Sequence, residues 1–426
     1  MTLANLPVIL HAIGHKLLVI SEMFPIGIYI HIPFCLRKCF YCDFNSIPIG
    51  IVKKNILALI KEKEKLLDRY AEALCREIKS SAIILAGNNF FVESIFIGGG
   101  TPSLIKSGKI SEILNICKNA FHFSDNPEIT IETNPGTISY DSLKGYLESG
   151  INRLSLGCQS FSNEELKSIG RVHSAEDIYR SLKIAQEAGF ENINIDLIFG
   201  IPRQDLESFS LSLKKALSLK PQHISVYNLT IEADTVFYKL KNKGKLKLPD
   251  DDEQIAMYEQ GIKTLTAEGF EHYEISNFAL QGKRCLHNEN YWRHGEYLGF
   301  GAGAHSFLRS KEQGAKKKGK RWWNLKDAGN YCEAVEKGIS PTENKEELNE
   351  SKLISEATML GLRMMEGIDI KDFFNKYGVQ IEEKYKNEIE SLRNQELLVL
   401  ENNRLKLPLK GTLFSNEVFL RFVPYS

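Results

Sequence analysis

Three cysteines stand close together near the start of the chain. Cys35, Cys39 and Cys42 have the spacing C-x3-C-x2-C and follow an apolar run, Ile26–Ile32, that predicts a buried strand. A strand that ends in a cysteine-bearing loop places three thiolates at one edge of a sheet, which suits a metal ion or a metal–sulfur cluster. An iron–sulfur cube normally takes four thiolates, so three leave one iron free for another ligand. The loop is therefore a candidate for an open, reactive cluster.

A structural zinc site, a disulfide or chance could also account for this spacing. A fourth zinc ligand can be remote, so the spacing alone does not exclude zinc. Disulfides are not expected, because the chain has no secretory features and the remaining cysteines lack paired spacing. This usage is typical of a protein of the reducing cytoplasm. The scattered cysteines are Cys75, Cys117, Cys158, Cys285 and Cys332.

Glycine and polar residues recur where the predicted strands end. The glycine loop Gly98–Pro102 lets a ligand approach the backbone closely, although a tight turn would also use glycines. Glu132 lies near the end of the next strand, where a carboxylate either accepts hydrogen bonds from a ligand or forms a structural ion pair. Gln159, Arg171 and Asp196 lie at or just beyond later strand ends, and a charge in a buried strand needs a partner or a ligand. Together these groups suit a polar, zwitterionic nucleoside.

Strand and helix alternate about six times in the first half of the chain. This pattern predicts an α/β fold with a parallel sheet and right-handed crossovers. Six units suit a partial (β/α)6 barrel, because a full barrel has two more. Chemistry in such folds lies at the C-terminal ends of the strands, where the cysteines and the polar residues fall. The predicted strands are Ile26–Ile32, Ser94–Ile97, Glu128–Thr133, Arg153–Gly157, Asn192–Phe199 and His223–Thr230.

Four segments are predicted along the chain. Residues 1–23 form an N-terminal extension that is too short and broken for a membrane helix and is a poor signal peptide. We expect it to be non-native, with Met23 as the working start. Residues 24–235 form the barrel, and residues 236–345 form a connecting region dense in aromatic residues, histidines and glycines. Residues 346–426 form a small C-terminal domain, whose helices followed by a hairpin predict a winged-helix-like unit.

Composition excludes some classes of function. The chain has 426 residues, 43% of them hydrophobic, and a formal net charge of zero. These values are typical of a globular protein and imply no bulk attraction to nucleic acid or to anionic lipid. We expect no nucleic-acid partner and no membrane span.

The cysteine spacing, with Tyr41 before the last cysteine, resembles that of the radical S-adenosylmethionine (SAM) superfamily. More narrowly, the chain resembles the oxygen-independent coproporphyrinogen III oxidase family, and within it the branch of HemW-type heme chaperones. The resemblance extends from about Gly27 to the C-terminus. The segments that carry it are Tyr29–Cys35, Gly98–Pro102, Gly170–His173 and Asn194–Gly200.

This resemblance implies a [4Fe-4S] cluster on Cys35, Cys39 and Cys42, with the amino and carboxylate groups of SAM on the open iron. Three further residues match positions that contact a second SAM in the coproporphyrinogen oxidases, and in this branch they can equally hold the first. They are Gln159, Arg171 and Asp196. The residues implied to line the first SAM are Tyr29, Tyr41, Gly99, Gly100, Thr101 and Glu132.

Two features favour heme handling over porphyrinogen oxidation. The dehydrogenases of the family continue to a fourth cysteine, where this chain has Phe44. His287, Tyr291 and Trp292 match the H-N-x-x-Y-W motif of HemW proteins. Imidazole is a natural axial ligand of heme iron, and the two aromatic rings can pack on a porphyrin face. A core histidine beside buried aromatic residues is the structural alternative.

The favoured interpretation is a cytoplasmic radical SAM protein that binds heme and delivers it to acceptor hemoproteins. Whether it is also an enzyme stays open, because the cluster motif is intact. Cleavage of SAM would need an electron donor such as flavodoxin or ferredoxin. The first alternative is an oxygen-independent coproporphyrinogen III dehydrogenase, which converts propionates to vinyl groups by radical decarboxylation. The second is a non-catalytic metal-binding scaffold.

Overall fold

The structure is a computed structural model that describes residues 23–50, 56–85, 89–310 and 318–423. The predicted N-terminal extension lies outside the described residues except for Met23. None of the helices in these ranges combines the length and the apolar composition that a membrane span requires.

The strands divide into a first group that builds the barrel, a second group that extends it, and a third group near the C-terminus. The strands are β1 (Phe24–Ile32), β2 (Phe34–Cys35), β3 (Ile47–Pro48), β4 (Phe90–Gly99), β5 (Phe123–Thr133), β6 (Arg153–Gln159), β7 (Ile193–Phe199), β8 (His223–Asn228), β9 (Glu271–Glu274), β10 (Asn277–Ala279), β11 (Glu296–Phe300), β12 (His305–Arg309), β13 (Gly319–Asn324), β14 (Thr342–Leu348), β15 (Ile368–Asp369), β16 (Val399–Glu401) and β17 (Arg404–Lys406).

Helices follow the barrel strands and fill the C-terminal region. They are α1 (Ile56–Ile84), α2 (Ser107–Ala120), α3 (Tyr140–Glu148), α4 (Asn163–Ser168), α5 (Ala175–Ala188), α6 (Leu206–Ser218), α7 (Val236–Asn242), α8 (Asp251–Ala267), α9 (Leu286–Trp292), α10 (Ala328–Glu336), α11 (Glu350–Gly361), α12 (Ile370–Tyr377), α13 (Ile381–Lys384), α14 (Lys386–Asn394), α15 (Leu409–Leu413) and α16 (Ser415–Leu420).

The six predicted strands lie side by side in chain order. β1, β4, β5, β6, β7 and β8 are parallel neighbours in one sheet, and helices connect each of them to the next. This arrangement confirms the predicted α/β fold with a partial (β/α)6 barrel. It brings the carboxyl ends of all six strands to one edge.

The sheet is wider than the sequence predicts. Among the described residues it has twelve strands, because β11 pairs parallel with β1 and the antiparallel strands β12, β13 and β14 follow it. On the other side β10 and β9 follow β8, also antiparallel. Apart from the last three residues of β14, these strands come from the region predicted as a connection. Several are short or strongly charged, such as Thr-Glu-Asn-Lys-Glu-Glu-Leu in β14, and carry no clear strand pattern of their own.

Alternation along the barrel strands separates two faces. In β1 the isoleucines Ile28, Ile30 and Ile32 are fully buried in the main hydrophobic core, which they share with residues of α1. The residues between them, such as Tyr29, take the opposite face, toward the interior of the barrel. The other barrel strands repeat this pattern, so the interior receives polar side chains while the helices cover an apolar surface.

A separate hydrophobic core forms in the C-terminal region, from Ile354 to Phe422. Its helices are followed by the hairpin of β16 and β17, and β15 adds a third strand. Asn402 and Asn403 have φ values of 50° and 61°, which suit the tight turn of this hairpin. The helices α13 and α14 meet at Tyr385.

Candidate functional site

A cavity of about 770 Å³ lies at the C-terminal ends of the barrel strands. Most of the residues singled out in the sequence line it. Thr101 and Trp292 do not. The predicted residues that line it are Tyr29, Cys35, Cys39, Tyr41, Cys42, Gly99, Gly100, Glu132, Gln159, Arg171, Asp196, His287 and Tyr291.

The cysteine loop is pinned at both ends by backbone pairing. β2 runs parallel to β3, and the N–H of Ile49 donates to the carbonyl of Cys35 at 2.7 Å. The glycine loop closes against the same segment, because the N–H groups of Gly100 and Thr101 donate to the carbonyls of Ile32 and Phe34 at 2.8 and 2.7 Å. A Cβ on Gly100 would lie 2.6 Å from the oxygen of Phe34, so only glycine allows this approach.

Each cysteine sulfur has a polar neighbour. The Thr101 hydroxyl donates to Cys35 Sγ at 3.6 Å, and Arg171 Nη1 donates to Cys39 Sγ at 3.6 Å. The Sγ atom of Cys42 lies 3.9 Å from a serine hydroxyl, Ser46 Oγ. Such donors favour thiolates, and hydrogen bonds to the sulfurs tune an iron–sulfur cluster. Thr101 therefore contributes from outside the cavity, through the sulfur of Cys35.

Burial acts in the opposite direction on these thiols. It raises the pKa of Cys35 and of Cys42, so in the protein alone both are held as neutral thiols. The three cysteines are half-buried and free of disulfides. Among the described residues, no group of three or more His, Cys, Asp or Glu side chains is arranged around a single metal ion. Three thiols around one cavity, each with a polar neighbour, fit the cysteine face of a multi-iron cluster better than a single zinc ion.

Arg171 connects the cysteine loop to the strand ends. Besides Cys39, its guanidinium donates to the side-chain oxygen of Asn134 and to the carbonyl of Gly157 at 2.6 Å. A Cβ on Gly157 would lie 2.9 Å from that asparagine oxygen. Just beyond, Gln159 has a φ of 69°, in the left-handed region that non-glycine residues seldom adopt. Strained backbone of this kind is typical of ligand-binding positions.

Two buried carboxylates face the cavity. Glu132 Oε2 accepts a hydrogen bond from the N–H of Gly99 at 2.9 Å, and no partner engages its other oxygen among the described residues. Burial, followed by the nearby charge of Asp196, raises the pKa of Glu132 to about 7. Asp196 accepts hydrogen bonds from Ser155 at 3.2 Å and Asn194 at 2.7 Å, and burial raises its pKa as well. Glu132 is thus an acceptor whose charge a cationic ligand would stabilise.

The motif that contains His287 lies on α9, at the side of the barrel. The Glu128 carboxylate accepts hydrogen bonds from the first N–H groups of this helix, those of Leu286 and His287, at 3.1 and 3.2 Å. A negative charge at this end also complements the helix dipole. Glu128 was not predicted to have a role, and it fixes where the motif sits.

His287 is only 1% exposed. Its Nδ1 atom lies 2.9 Å from the Ser94 hydroxyl and its Nε2 atom lies 3.3 Å from the Tyr291 hydroxyl. The ring stacks on Phe96, with centroids 5.3 Å apart. Burial lowers the pKa of His287 to about 3, so the imidazole is neutral. Both nitrogens are engaged, and binding to iron would require one of these contacts to break.

Tyr291 and Trp292 are separated by the helix geometry, because consecutive helical residues point about 100° apart. Tyr291 faces the cavity. Trp292 packs instead with Tyr273, Ala279 and Met364, and the guanidinium of Arg363 lies 4.3 Å from its ring centroid.

Several lining residues were missed in the sequence. For most of them the sequence holds a signal: polar residues alternate with buried aliphatic residues along the strands. Residues at the polar positions face the barrel interior. Arg153, only 2% exposed, is the most unusual of them, as a buried charge at the start of a strand. The missed residues include Phe96, Asn134, Arg153, Ser155, Asn194, Ser225 and Tyr227.

Comparison with known proteins agrees with this geometry. Residues 29–216 match the family model of the Radical SAM superfamily, and residues 348–414 match that of the HemN C-terminal domain. In a solved structure, the Escherichia coli coproporphyrinogen III oxidase HemN, described as a radical SAM enzyme, superposes with a TM-score of 0.76 at 25% identity. That match covers 94% of this chain and 90% of the other.

Two similar proteins carry a more specific name. A Bacillus subtilis (strain 168) protein named heme chaperone HemW is 36% identical over 397 residues, which are 93% of this chain and 98% of that protein. The Escherichia coli (strain K12) protein of the same name is 40% identical over 281 residues, 66% of this chain and 70% of that one. By its fold, its cysteine loop and its similarity along nearly the whole chain, this protein belongs to the HemW heme chaperone family of the radical SAM superfamily.

Proposed function

We propose that this protein binds heme and transfers it to acceptor hemoproteins, and that it carries a [4Fe-4S] cluster and SAM. The observation that carries the proposal is the similarity along nearly the whole chain to a protein named heme chaperone HemW. Phe44 supports it, since a phenylalanine stands where the dehydrogenases have a fourth cysteine. Its side chain is 61% exposed at the edge of the main cavity.

In this proposal Cys35, Cys39 and Cys42 hold the cluster. When bound, the cluster supplies one open iron for the amino and carboxylate groups of SAM. Thr101 and Arg171 donate to the sulfurs and stabilise their negative charge.

The remaining cavity residues orient SAM. Glu132 offers a free carboxylate oxygen to an ammonium or to ribose hydroxyls, and the close glycine loop leaves its backbone accessible. Tyr29 and Tyr41 add aromatic surface. Gln159 and Asp196 extend the polar lining away from the cysteine loop, so they are available to a second SAM or to the far end of the first.

Heme would lie near the α9 motif. Tyr291 faces the cavity and can pack on a porphyrin. His287 would ligate iron only after losing its contact with Ser94 or Tyr291. Contact between Trp292 and heme stays a prediction that the geometry does not support, because its ring lies in another cluster.

A hemin titration combined with an anaerobic turnover assay tests the function. The reconstituted full chain should bind hemin with a Soret band distinct from that of free hemin. It should form no vinyl product from coproporphyrinogen III with SAM and a reductant. Failure to bind hemin would refute the chaperone proposal.

Coproporphyrinogen III dehydrogenase is the second candidate. The superposition on HemN and the three free cysteines around a SAM-sized cavity favour it. Formation of the vinyl product over many turnovers, lost in Cys39→Ser, would establish it. A zinc scaffold is the third candidate, and stoichiometric zinc without iron or sulfide after anaerobic reconstitution would establish that instead.

We also propose the domain limits 24–235, 236–345 and 346–426. The separate C-terminal core supports the last of these domains. A chain that begins at Met23 should fold and hold its cluster. The free cysteines support a reducing compartment such as the cytoplasm. If SAM is cleaved, an electron donor such as flavodoxin or ferredoxin is required.

A further inference from the structure

A second cavity, of about 380 Å³, adjoins the first. The smaller one opens beside the SAM cavity rather than elsewhere on the surface, because the two share five lining residues: Tyr29, Phe44, Gly99, Glu132 and Tyr291. Its other walls come from His31, from Asn45 just after the cysteine loop, and from the added strands. Four aromatic rings line it, those of Tyr29, Phe44, Tyr291 and Tyr297, which suits a flat, largely apolar ligand.

His305 stands in this second cavity with its imidazole exposed. It is the first residue of β12, and β12 runs antiparallel to β11, whose own end lies at the cysteine edge of the sheet. Its ring stacks on Trp323 of the neighbouring strand, with centroids 5.5 Å apart and an interplanar angle of 19°. This contact orients the ring and leaves its nitrogens free.

The other histidines that line these two cavities differ from His305. His31 binds the Tyr29 hydroxyl and the carbonyl of Asn45, each at 2.9 Å. His287 has both nitrogens engaged. Within the described ranges, neither ring nitrogen of His305 has a hydrogen-bond partner. Iron needs an accessible, unprotonated imidazole nitrogen, and His305 offers one at the cavity wall.

The turn before His305 is held rigidly. The N–H of Gly301 donates to buried Glu77 at 2.8 Å, and the N–H of Ala302 donates to the Tyr70 hydroxyl at 2.8 Å. From the cysteine loop, Asn45 Nδ2 donates to the carbonyl of Ala302 at 3.0 Å. The imidazole is therefore positioned against the cluster loop before any ligand arrives, as a preorganised binding site requires.

We propose that His305, rather than His287, is the axial ligand of the heme iron, with the porphyrin in the second cavity against Phe44 and Tyr297. This inference rests on the proposed heme function and names the residue that performs it. Two exposed lysines lie near the walls of the second cavity, and in this proposal they pair with the heme propionates. Lys38 donates to the carbonyl of Phe44, and the charge of Lys326 acts on His305.

The charge state of His305 is consistent with this role. Partial burial, and then the positive charges of Arg321 and Lys326, lower the pKa of His305, so the neutral imidazole persists to lower pH. The site also places heme next to the proposed SAM pocket, with Tyr291 between the two. In the motif on α9, Tyr291 would then contact the heme, and His287 would hold Tyr291 in place through its hydroxyl.

Hemin titrations of the full reconstituted chain test the assignment, followed by absorption and electron paramagnetic resonance spectra. His305→Ala should weaken hemin binding about tenfold or more and abolish the histidine-ligated spectrum. Added imidazole should restore that spectrum. His122→Ala is the matched control, because His122 is an exposed histidine at the opposite edge of the sheet. This variant should bind hemin like the wild type. Iron and sulfide content should be the same in all variants.

Three results would overturn the inference. If His305→Ala keeps the wild-type affinity and spectrum while His287→Ala loses them, His287 is the ligand and the proposed function stands. If His122→Ala weakens binding as much as His305→Ala, hemin binds surface histidines without a defined site. If the wild type binds no hemin, the proposed function fails together with this inference.

Discussion

Glu132 allows a quantitative prediction for SAM binding. Its carboxylate is buried beside Asp196, and its pKa is raised to about 7. If the charged form accepts hydrogen bonds from SAM, the ionised fraction controls affinity. About one-tenth of Glu132 is ionised at pH 6 and about nine-tenths at pH 8, so SAM should bind about tenfold more weakly at pH 6.

Two substitutions separate this effect from the titration of SAM itself. Glu132→Gln should bind SAM more weakly than the wild type at pH 8, and its affinity should no longer fall tenfold between pH 8 and pH 6. Any pH dependence that arises from the titration of SAM itself should remain. Asp196→Asn should shift the midpoint below 7, because it removes the neighbouring negative charge. Glu93→Gln is the matched control, since Glu93 lies outside the SAM cavity and its pKa is also raised.

Stability of the protein without ligand should show the opposite trend. A carboxyl whose pKa is higher in the folded than in the unfolded protein stabilises the fold while it is protonated. This contribution is complete below the unfolded pKa of 4.5 and is lost as the pH rises through the folded pKa of about 7. Glu132→Gln should remove this loss, which amounts to at most ~3 kcal/mol at pH 8.

Radiolabelled SAM binding at pH 6, 7 and 8, with anaerobically reconstituted protein, measures the first effect, and urea unfolding measures the second. Equal pH dependence in the wild type and in Glu132→Gln would show that the carboxylate does not contact SAM.

Three other substitutions have expected outcomes. Gly100→Ala should lower both the iron content and the affinity for SAM, because the new Cβ would collide with the carbonyl of Phe34. Arg171→Met should lower the iron retained on reconstitution, since Cys39 loses its cationic donor. Glu77→Gln should lower the free energy of unfolding by about 1–3 kcal/mol, measured in urea, because an amide N–H₂ faces groups that also donate.

Each of these has a control with the same chemical change at a tolerant position. Gly108→Ala meets nothing within 4 Å and should leave the iron content unchanged. Arg180→Met and Glu187→Gln alter exposed side chains on α5. Arg180→Met should leave the iron content unchanged, and Glu187→Gln should change the free energy of unfolding by no more than about 0.5 kcal/mol. Unchanged iron in Gly100→Ala or Arg171→Met would refute the proposed contacts to the cysteine loop, and unchanged stability in Glu77→Gln would refute the proposed role of that network.

Periodicity in the sequence was sufficient to predict the barrel. Apolar runs of strand length, each ending in glycine or polar residues, marked the six barrel strands and their order. The sequence could not predict β9 to β14, because short and charged strands form only when a neighbouring edge pairs with them. These added strands include β12 and β13, which bring His305 and Trp323 to the second cavity.

Local sequence also could not predict the surroundings of a side chain. His287 looks like a metal ligand by residue type and motif, yet Ser94, a residue far away in the chain, engages its Nδ1 atom. Trp292 was grouped with Tyr291 by motif, whereas one helical step turns it into a different cluster.

The sequence alone established the parallel barrel, the cysteine loop at its edge and the polar strand ends, because those depend on local spacing and on alternation within single strands. Only the tertiary structure decided which residues face a shared cavity and which nitrogens stay free. Those properties arise from contacts between segments that lie far apart in the chain, such as Arg171 with Cys39 and Asn45 with Ala302. Such contacts exist only after the sheet has assembled.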